Sequence, residues 1–266
     1  MSDQYELIHN TKWDNLIILD AARFDYFERE YSKFLKGKLE KAISPATCTV
    51  DWMKKVWNER YDLTYVSTWP CVNSKRIPCS YSIRLPGGKT KTIIGYKGWE
   101  HFSKIIDVWD FGWVDKLGTI PPWNVNKAVL KEGGRQRMVI HYMQPHMPYI
   151  GETKITFPML KPNLAGEGAG FSRMSKKIRE KKVELETLKR AYVDNLRLVL
   201  KWVAKLTPSL KGKTVITADH GELFRDLYHG GIVGPWHPSA RAIALRGRGV
   251  GKDPRLREVP WFTVNI

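Results

Sequence analysis

Short apolar runs that stop abruptly at an acid or a histidine recur along the chain. Residues 15–20 read Asn-Leu-Ile-Ile-Leu-Asp, a continuous apolar stretch closed by Asp20. Such runs, without polar alternation, mark strands buried on both faces of a parallel sheet. Residues 214–217, Thr-Val-Ile-Thr, form a second β-branched run, and Asp219-His220-Gly221-Glu222 follows it. A third, 137–141, has Met-Val-Ile as its centre and ends in His141. Further strands are expected at 63–68, at 241–245 and at the end of the chain, 255–264, after a basic turn.

Helical spacing separates these runs. It predicts helices over 21–34, over 50–61 with Val50, Met53, Val56 and Trp57 on one side, and over 121–130 after a Pro-Pro pair. A longer pattern spans 172–206. Its first half is highly charged, its second half sets Tyr192, Leu196, Val199, Leu200 and Val203 on one stripe, and Pro208 ends it. The turn-rich stretch 79–96 reads as irregular or as a hairpin around Pro86-Gly87-Gly88, and the Gly- and Pro-rich 151–171 as a lid or surface loop. Trp109, Phe111 and Trp113 are expected to pack. Strands alternating with helices give an α/β fold, and 266 residues suit one domain with irregular insertions near 79–96 and 151–171.

Composition adds a charge preference. Lys and Arg exceed Asp and Glu by 17, with a pI near 9.7. That excess favours anionic partners such as phosphate or sulfate esters, nucleic acid or an acidic membrane surface. No RNA-recognition, zinc-finger or helix-turn-helix signature accompanies it. No apolar run reaches membrane-spanning length, and the first residues lack the basic and apolar regions of a signal peptide, so a cytoplasmic location is expected. Cys48, Cys71 and Cys79 include no CxxC pair and are expected to be free thiols in a reducing compartment.

Ligands in open α/β sheets bind at the carboxyl ends of the strands. Asp20 and Asp219-His220 both stand at such ends, and on neighbouring strands they would face one divalent cation, with Gly221 letting the chain turn. Arg23 either holds an oxyanion or pairs with a nearby acid. The loop 43–49 carries Ser44, Thr47, Cys48 and Thr49 just before a helix, where backbone N–H groups favour an anion. A hydroxyl there is either an N-cap or a metal-activated nucleophile. His141, His146 and His237 are either ordinary histidines or groups aimed at a substrate oxygen.

Five segments in order resemble the sulfatase-like branch of the alkaline phosphatase superfamily. They are Leu-Asp-Ala-Ala-Arg-Phe-Asp-Tyr-Phe from Leu19, Tyr-Val-Ser-Thr-Trp-Pro-Cys-Val-Asn from Tyr65, His-Tyr-Met-Gln-Pro-His-Met-Pro-Tyr from His141, Ala-Asp-His-Gly-Glu-Leu-Phe from Ala218, and Leu-Arg-Glu-Val-Pro-Trp from Leu256. The resemblance implies a three-layer α/β/α sandwich with a mostly parallel central sheet. It implies a divalent metal on Asp20, Asp219, His220 and the nucleophile's oxygen, with zinc or manganese favoured over calcium or magnesium. Its substrate-side segment singles out His146 over His141; in the mechanism expected, His141, His146 or His237 would serve the leaving oxygen, and Arg23 would hold non-bridging oxygens. Thr49 falls at the nucleophile position, with Thr47 second and Cys48 third. The formylglycine maturation pattern is missing, since Cys48 is followed by Thr-Val-Asp. The expected activity is therefore phosphate-ester hydrolysis through a covalent threonine intermediate. The alternatives are sulfate-ester hydrolysis, transfer of a phospho head group to a glycan or lipid, and an inactive polyanion-binding role.

Overall fold

The apolar runs become the centre of one eight-stranded sheet. A computed structural model of the chain describes residues 2–77, 80–84, 90–94, 96–133, 137–156, 161, 183–227, 232–236 and 253–265. Its strands are β1 (Ser2–Asp3), β2 (Asn15–Leu19), β3 (Gly37–Ile43), β4 (Tyr61–Ser67), β5 (Ser80–Arg84), β6 (Thr90–Ile94), β7 (Phe102–Asp107), β8 (Met138–Tyr142), β9 (Thr214–Thr217), β10 (Leu223–Leu227), β11 (Ile232–Trp236) and β12 (Glu258–Val264). Its α-helices are α1 (Gln4–Asn10), α2 (Phe24–Glu30), α3 (Thr49–Val56), α4 (Val108–Phe111), α5 (Pro122–Glu132) and α6 (Leu185–Leu206).

The main sheet runs β1-β3-β12-β9-β2-β8-β4-β7, and every pairing in it is parallel except those of β12 with β3 and β9. β2 lies between β9 and β8, so every residue of all three strands is buried. The final strand predicted from the sequence is thus present, but antiparallel. The two hairpins, β5–β6 and β10–β11, stand outside the main sheet.

Strand pairing shows how the layers form. Phe262 pairs with Ile216, and Trp261 with Thr217. Neighbours along a strand point to opposite faces. The Phe262 ring packs against Phe27 of α2, while Thr217 accepts a hydrogen bond from Gln4 of α1 at 2.8 Å. Helices α1 and α2 therefore cover opposite faces. Trp52 of α3 donates to Gln4 at 2.9 Å, which places α3 with α1. Tyr142, one residue on from His141, reaches the other face and donates to Asn126 of α5 at 2.7 Å. Asn126 in turn donates to the Trp202 carbonyl of α6 at 2.8 Å. The result is the expected α/β/α sandwich.

Helix α6 buries Leu188, Tyr192, Leu196, Val199, Leu200, Val203 and Leu206, a stripe spaced three and four residues apart. Each such side chain contributes about 1.5–3 kcal/mol relative to exposure. The stripe was legible in advance, whereas the predicted first part of that helix, 172–182, lies outside the described residues, as does the strand expected at 241–245. Among the described residues no helix is long and apolar enough to cross a membrane.

Several expectations need correction. Helix α2 begins at Phe24 rather than at residue 21, because 20–23 form the turn that ends β2, with Ala21 in the left-handed region at φ 60°. Helix α3 ends at Val56 rather than near 61, and β3 was not foreseen at all. Phe111 is 64% exposed, so it does not pack as Trp109 does. The stretch 79–96 does form a hairpin, though its turn at 86–88 lies outside the described residues. Of 151–171 only 151–156 and 161 are described, and Gly151 is not a surface residue: a Cβ there would meet the Asp194 and Asn195 backbone of α6. Cys48 is a free buried thiol, but Cys71 is disulfide-bonded, against the expectation of free thiols throughout. Spacing alone gave no sign of it.

Gln4 links the two elements that end at the sheet's carboxyl edge. Fully buried, it donates to the Ala218 carbonyl at 2.6 Å and to Thr217, and accepts from Trp52. Replacing it by Leu strands the buried Trp52 N–H and the Ala218 carbonyl. Gln4→Leu should lower stability by about 1–3 kcal/mol for each group left unsatisfied, read as a shift in the urea midpoint at unchanged slope. An unmoved midpoint would show that water replaces the amide.

Candidate metal centre

Three adjacent parallel strands deliver the site. Asp20 follows β2, Asp219 follows β9, and His141 lies near the end of β8, paired with Ile18. One ligand atom from each of Asp20, His141 and Asp219 lies within 4.8 Å of the others, and all three residues are buried. The sequence expectation that acids from separate strands converge is met.

Asp219 is the hub. Its Oδ1 accepts the Ala21 N–H at 3.0 Å and the His220 N–H at 2.9 Å, and its Oδ2 accepts the Thr49 hydroxyl at 2.7 Å. Its own carbonyl accepts the Ser44 hydroxyl at 2.5 Å. Burial opposes ionisation, but His220, His141, Thr49 and the Ala21 amide together hold this carboxyl below the usual carboxylate range. Asp20 is the opposite case. Burial, then Asp219 and Glu222, push its carboxyl well above the usual range. Its Oδ1 is buried without a hydrogen-bond partner.

His220 completes the group. Its Nδ1 lies 2.7 Å from the Gly221 carbonyl, which assigns the proton to Nδ1 and leaves a lone pair on Nε2. That Nε2 is 3.4 Å from Asp219 Oδ2, 3.4 Å from Thr49 Oγ1 and 3.7 Å from Asp20 Oδ1. Gly221 does not adopt a left-handed conformation, contrary to the turn role expected of it. Glycine is required for space, because a Cβ would collide with the Arg255 carbonyl.

Thr49 is the first residue of α3, and Cys48 is its N-cap. The Thr49 hydroxyl therefore does not cap the helix; it points at Asp219. Among the described residues it is Thr49, not Thr47, that makes this contact. Burial, then Asp51, push the Cys48 thiol up to about 12, far from a usable thiolate.

The remaining predicted residues are placed as follows. His146 sits in the loop after β8, where its N–H donates to the Asp20 carbonyl at 3.1 Å. Asn195 of α6 holds that loop, donating to the carbonyls of Pro145 and His146 at 3.0 and 3.1 Å and accepting from the Ile150 N–H at 3.0 Å. Burial lowers both His141 and His146 to about 4, so both rings are neutral at pH 7. Arg23 makes a two-point ion pair with Asp25 at 2.9 and 2.7 Å and reaches the Glu222 carbonyl at 3.4 Å, so its pairing with an acid is the reading the geometry favours. His237 lies outside the described residues.

Glu222 carries more weight than the sequence suggested. It is buried, and burial, against Arg23 but reinforced by Asp219, pushes its carboxyl up to about 8. Two buried acids, an Oδ1 with no partner and an imidazole nitrogen thus share one small space, and the buried Glu222 carboxyl is near enough to raise Asp20 further. In a region of low dielectric such acids take up either protons or a cation. The donor set of carboxylate and imidazole suits zinc or manganese.

No protein-family model matches the chain, and no curated protein matches it. Solved structures do. The soluble domain of lipooligosaccharide phosphoethanolamine transferase A from Neisseria meningitidis is 12% identical at a TM-score of 0.52, over 94% of this chain and 75% of that one. The integral membrane form of that protein is 11% identical at 0.49, over 95% of this chain and 48% of that one. A zinc complex of the periplasmic domain of EcEptC from Escherichia coli is 10% identical at 0.47, over 97% and 74%. The chain has the alkaline phosphatase-like fold that its sequence resemblance implied.

Glu222 gives a pH signature. It ionises near 4.5 in an unfolded chain but near 8 in the fold, so the folded state keeps the extra proton between those values. Stability falls as pH rises through that window and levels off above it. In metal-free protein, wild type should lose stability relative to Glu222→Gln between pH 4.5 and 8, by at most roughly 5 kcal/mol, measured as denaturant midpoints. Parallel pH profiles for the two proteins would show that Glu222 ionises freely.

Proposed function

We propose that the chain is a metal-dependent enzyme of phosphate esters that uses Thr49 to move a phospho head group onto an acceptor hydroxyl. The observation that carries this reading is the Thr49 hydroxyl held 2.7 Å from Asp219 Oδ2 and 3.4 Å from His220 Nε2 at the start of α3. Support for transfer over hydrolysis comes from the soluble domain of lipooligosaccharide phosphoethanolamine transferase A, whose fold this chain shares. Asp20, Asp219, His220 and Thr49 are the residues assigned to a divalent ion, zinc or manganese by donor type. When bound, the ion supplies positive charge beside the attacking oxygen and lowers the energy of its deprotonated form.

The chain's own residues set up the rest. Thr49 Oγ attacks phosphorus, a Thr–O–P bond forms, and the bond to the leaving alcohol breaks. The hydroxyl proton already points at Asp219 Oδ2. The backbone N–H groups of the first turn of α3 point toward the non-bridging oxygens. Arg23 would add charge if it exchanged Asp25 for the substrate. His146 and His237 are assigned to the leaving-group side. An acceptor alcohol then takes the phosphoryl group from Thr49, or water does so to give hydrolysis. The substrate is an anionic phosphodiester, which the net positive charge draws toward the chain.

The test uses an aryl phosphoethanolamine diester with zinc or manganese added. Wild type should release the aryl alcohol, and with excess primary alcohol should form the alkyl phosphoethanolamine in preference to free phosphoethanolamine. Thr49→Ala should lose turnover by at least about 10³-fold while still binding metal, and Asp219→Ala should lose both. Normal turnover by Thr49→Ala removes the nucleophile assignment. Product partitioning that ignores the alcohol converts the enzyme to a hydrolase.

A further inference from the structure

Tyr65 stands on β4 and takes no part in the assignments above. It pairs with Val139 of β8, and His141 lies two residues further along β8 on the same face. The phenol oxygen is 2.7 Å from His141 Nδ1 and 3.4 Å from Met53 Sδ of α3. All three side chains are fully buried. An imidazole nitrogen of His141 lies within 4.8 Å of carboxylate oxygens of both Asp20 and Asp219. With Nδ1 engaged by Tyr65, the nitrogen left for that space is Nε2, which is buried and has no hydrogen-bond partner.

Two proton arrangements fit the Tyr65–His141 contact. In the first, the phenol donates to Nδ1, and the proton then required on Nε2 has no acceptor within hydrogen-bond distance. In the second, Nδ1–H donates to the phenol oxygen, the phenol donates to Met53 Sδ, and Nε2 presents a lone pair. The second leaves no buried proton without an acceptor, which is the costlier kind of mismatch. A bare lone pair facing two carboxylates is itself satisfied by a cation.

We infer that Tyr65 is a positioning residue that fixes the second arrangement, so that His141 offers Nε2 as a ligand to a divalent ion held between Asp20 and Asp219. The inference rests on the metal reading above and adds to it one ligand and the residue that orients that ligand. It places His141, one of the three histidines weighed for a substrate oxygen, on the cation instead. Hydrogen-bond partners of this kind set the tautomer of ligating histidines, and their loss weakens metal binding about 10–100-fold.

The test is long-range proton–nitrogen correlation on protein labelled with ¹⁵N-histidine, with His141 and His220 assigned through single His→Gln variants and zinc added as the probe. His141 should carry its proton on Nδ1 before zinc is added, and its Nε2 should shift on zinc binding. Tyr65→Phe should mix the two tautomers and weaken zinc about 10–100-fold in competition with a chromophoric chelator. Met53→Leu, which keeps the phenol, should move His141 toward the Nε2–H form. That arm and the wild-type spectrum decide the question even if Tyr65→Phe fails to fold. A proton on Nε2 in zinc-loaded wild type, or undiminished zinc affinity in folded Tyr65→Phe, overturns the inference. If zinc shifts His220 but not His141, the inference fails and the metal reading stands; if zinc shifts neither, both fail.

Discussion

Two carboxylates on adjacent parallel strands, buried a few ångströms apart, are the constraint on which this structure turns. Asp219 resolves its burial by collecting donors: two backbone N–H groups and a hydroxyl. Asp20 has no such collection, and its Oδ1 remains unsatisfied. One buried acid can be stabilised by hydrogen bonds alone, but the second then suffers the field of the first. The His141 imidazole beside these acids is no counter-charge, since burial holds it neutral. A cation from outside would relieve that field, as the proposed function requires.

The sheet holds this tension from both faces. On one face Gln4 ties the end of β9 to α3, which fixes where Thr49 stands relative to Asp219. On the other face α6 acts through two side chains. Tyr192 donates to the Ala21 carbonyl at 2.8 Å and accepts the Arg23 N–H at 3.0 Å, clamping the turn after Asp20. Asn195 does the same for the loop that carries His146. Ala21 sits at φ 60°, a conformation unfavourable for alanine, and the Tyr192 and Asp219 contacts are what hold it there. The long helical stripe is therefore more than core packing, because two polar residues interrupt it at the level of the site.

What the sequence revealed and what it concealed follow from periodicity. Strands β2, β8 and β9 are buried on both faces, so their apolar runs were plain, and the acids ending them were plain with them. Strand β3 carries Lys38, Glu40 and Lys41 and is only partly buried, so no run or clean alternation marked it. Antiparallel β12 looked like any other strand, because direction is not written in composition. Tyr65 fell within the strand expected at 63–68, with no role marked for its side chain. Its contact with His141 depends on the register of β4 against β8, which no local pattern encodes. Glu222 was visible next to Asp219, but its raised pKa arises from burial under segments far away in the chain.

The choice among Thr47, Cys48 and Thr49 shows why position outranks intrinsic reactivity here. In water a thiol ionises far more readily than a hydroxyl, and Cys48 would be the natural nucleophile of the three. The helix start reverses that order. Cys48 caps the helix in a region where burial and the Asp51 charge oppose a thiolate, which removes its advantage. Thr49, one residue later, turns its hydroxyl to an acceptor carboxylate and to His220. Under the proposed function a hydroxyl so placed needs only a neighbouring positive charge to give up its proton, and the unsatisfied Asp20 oxygen, 3.7 Å from the same His220 nitrogen, would help hold that charge.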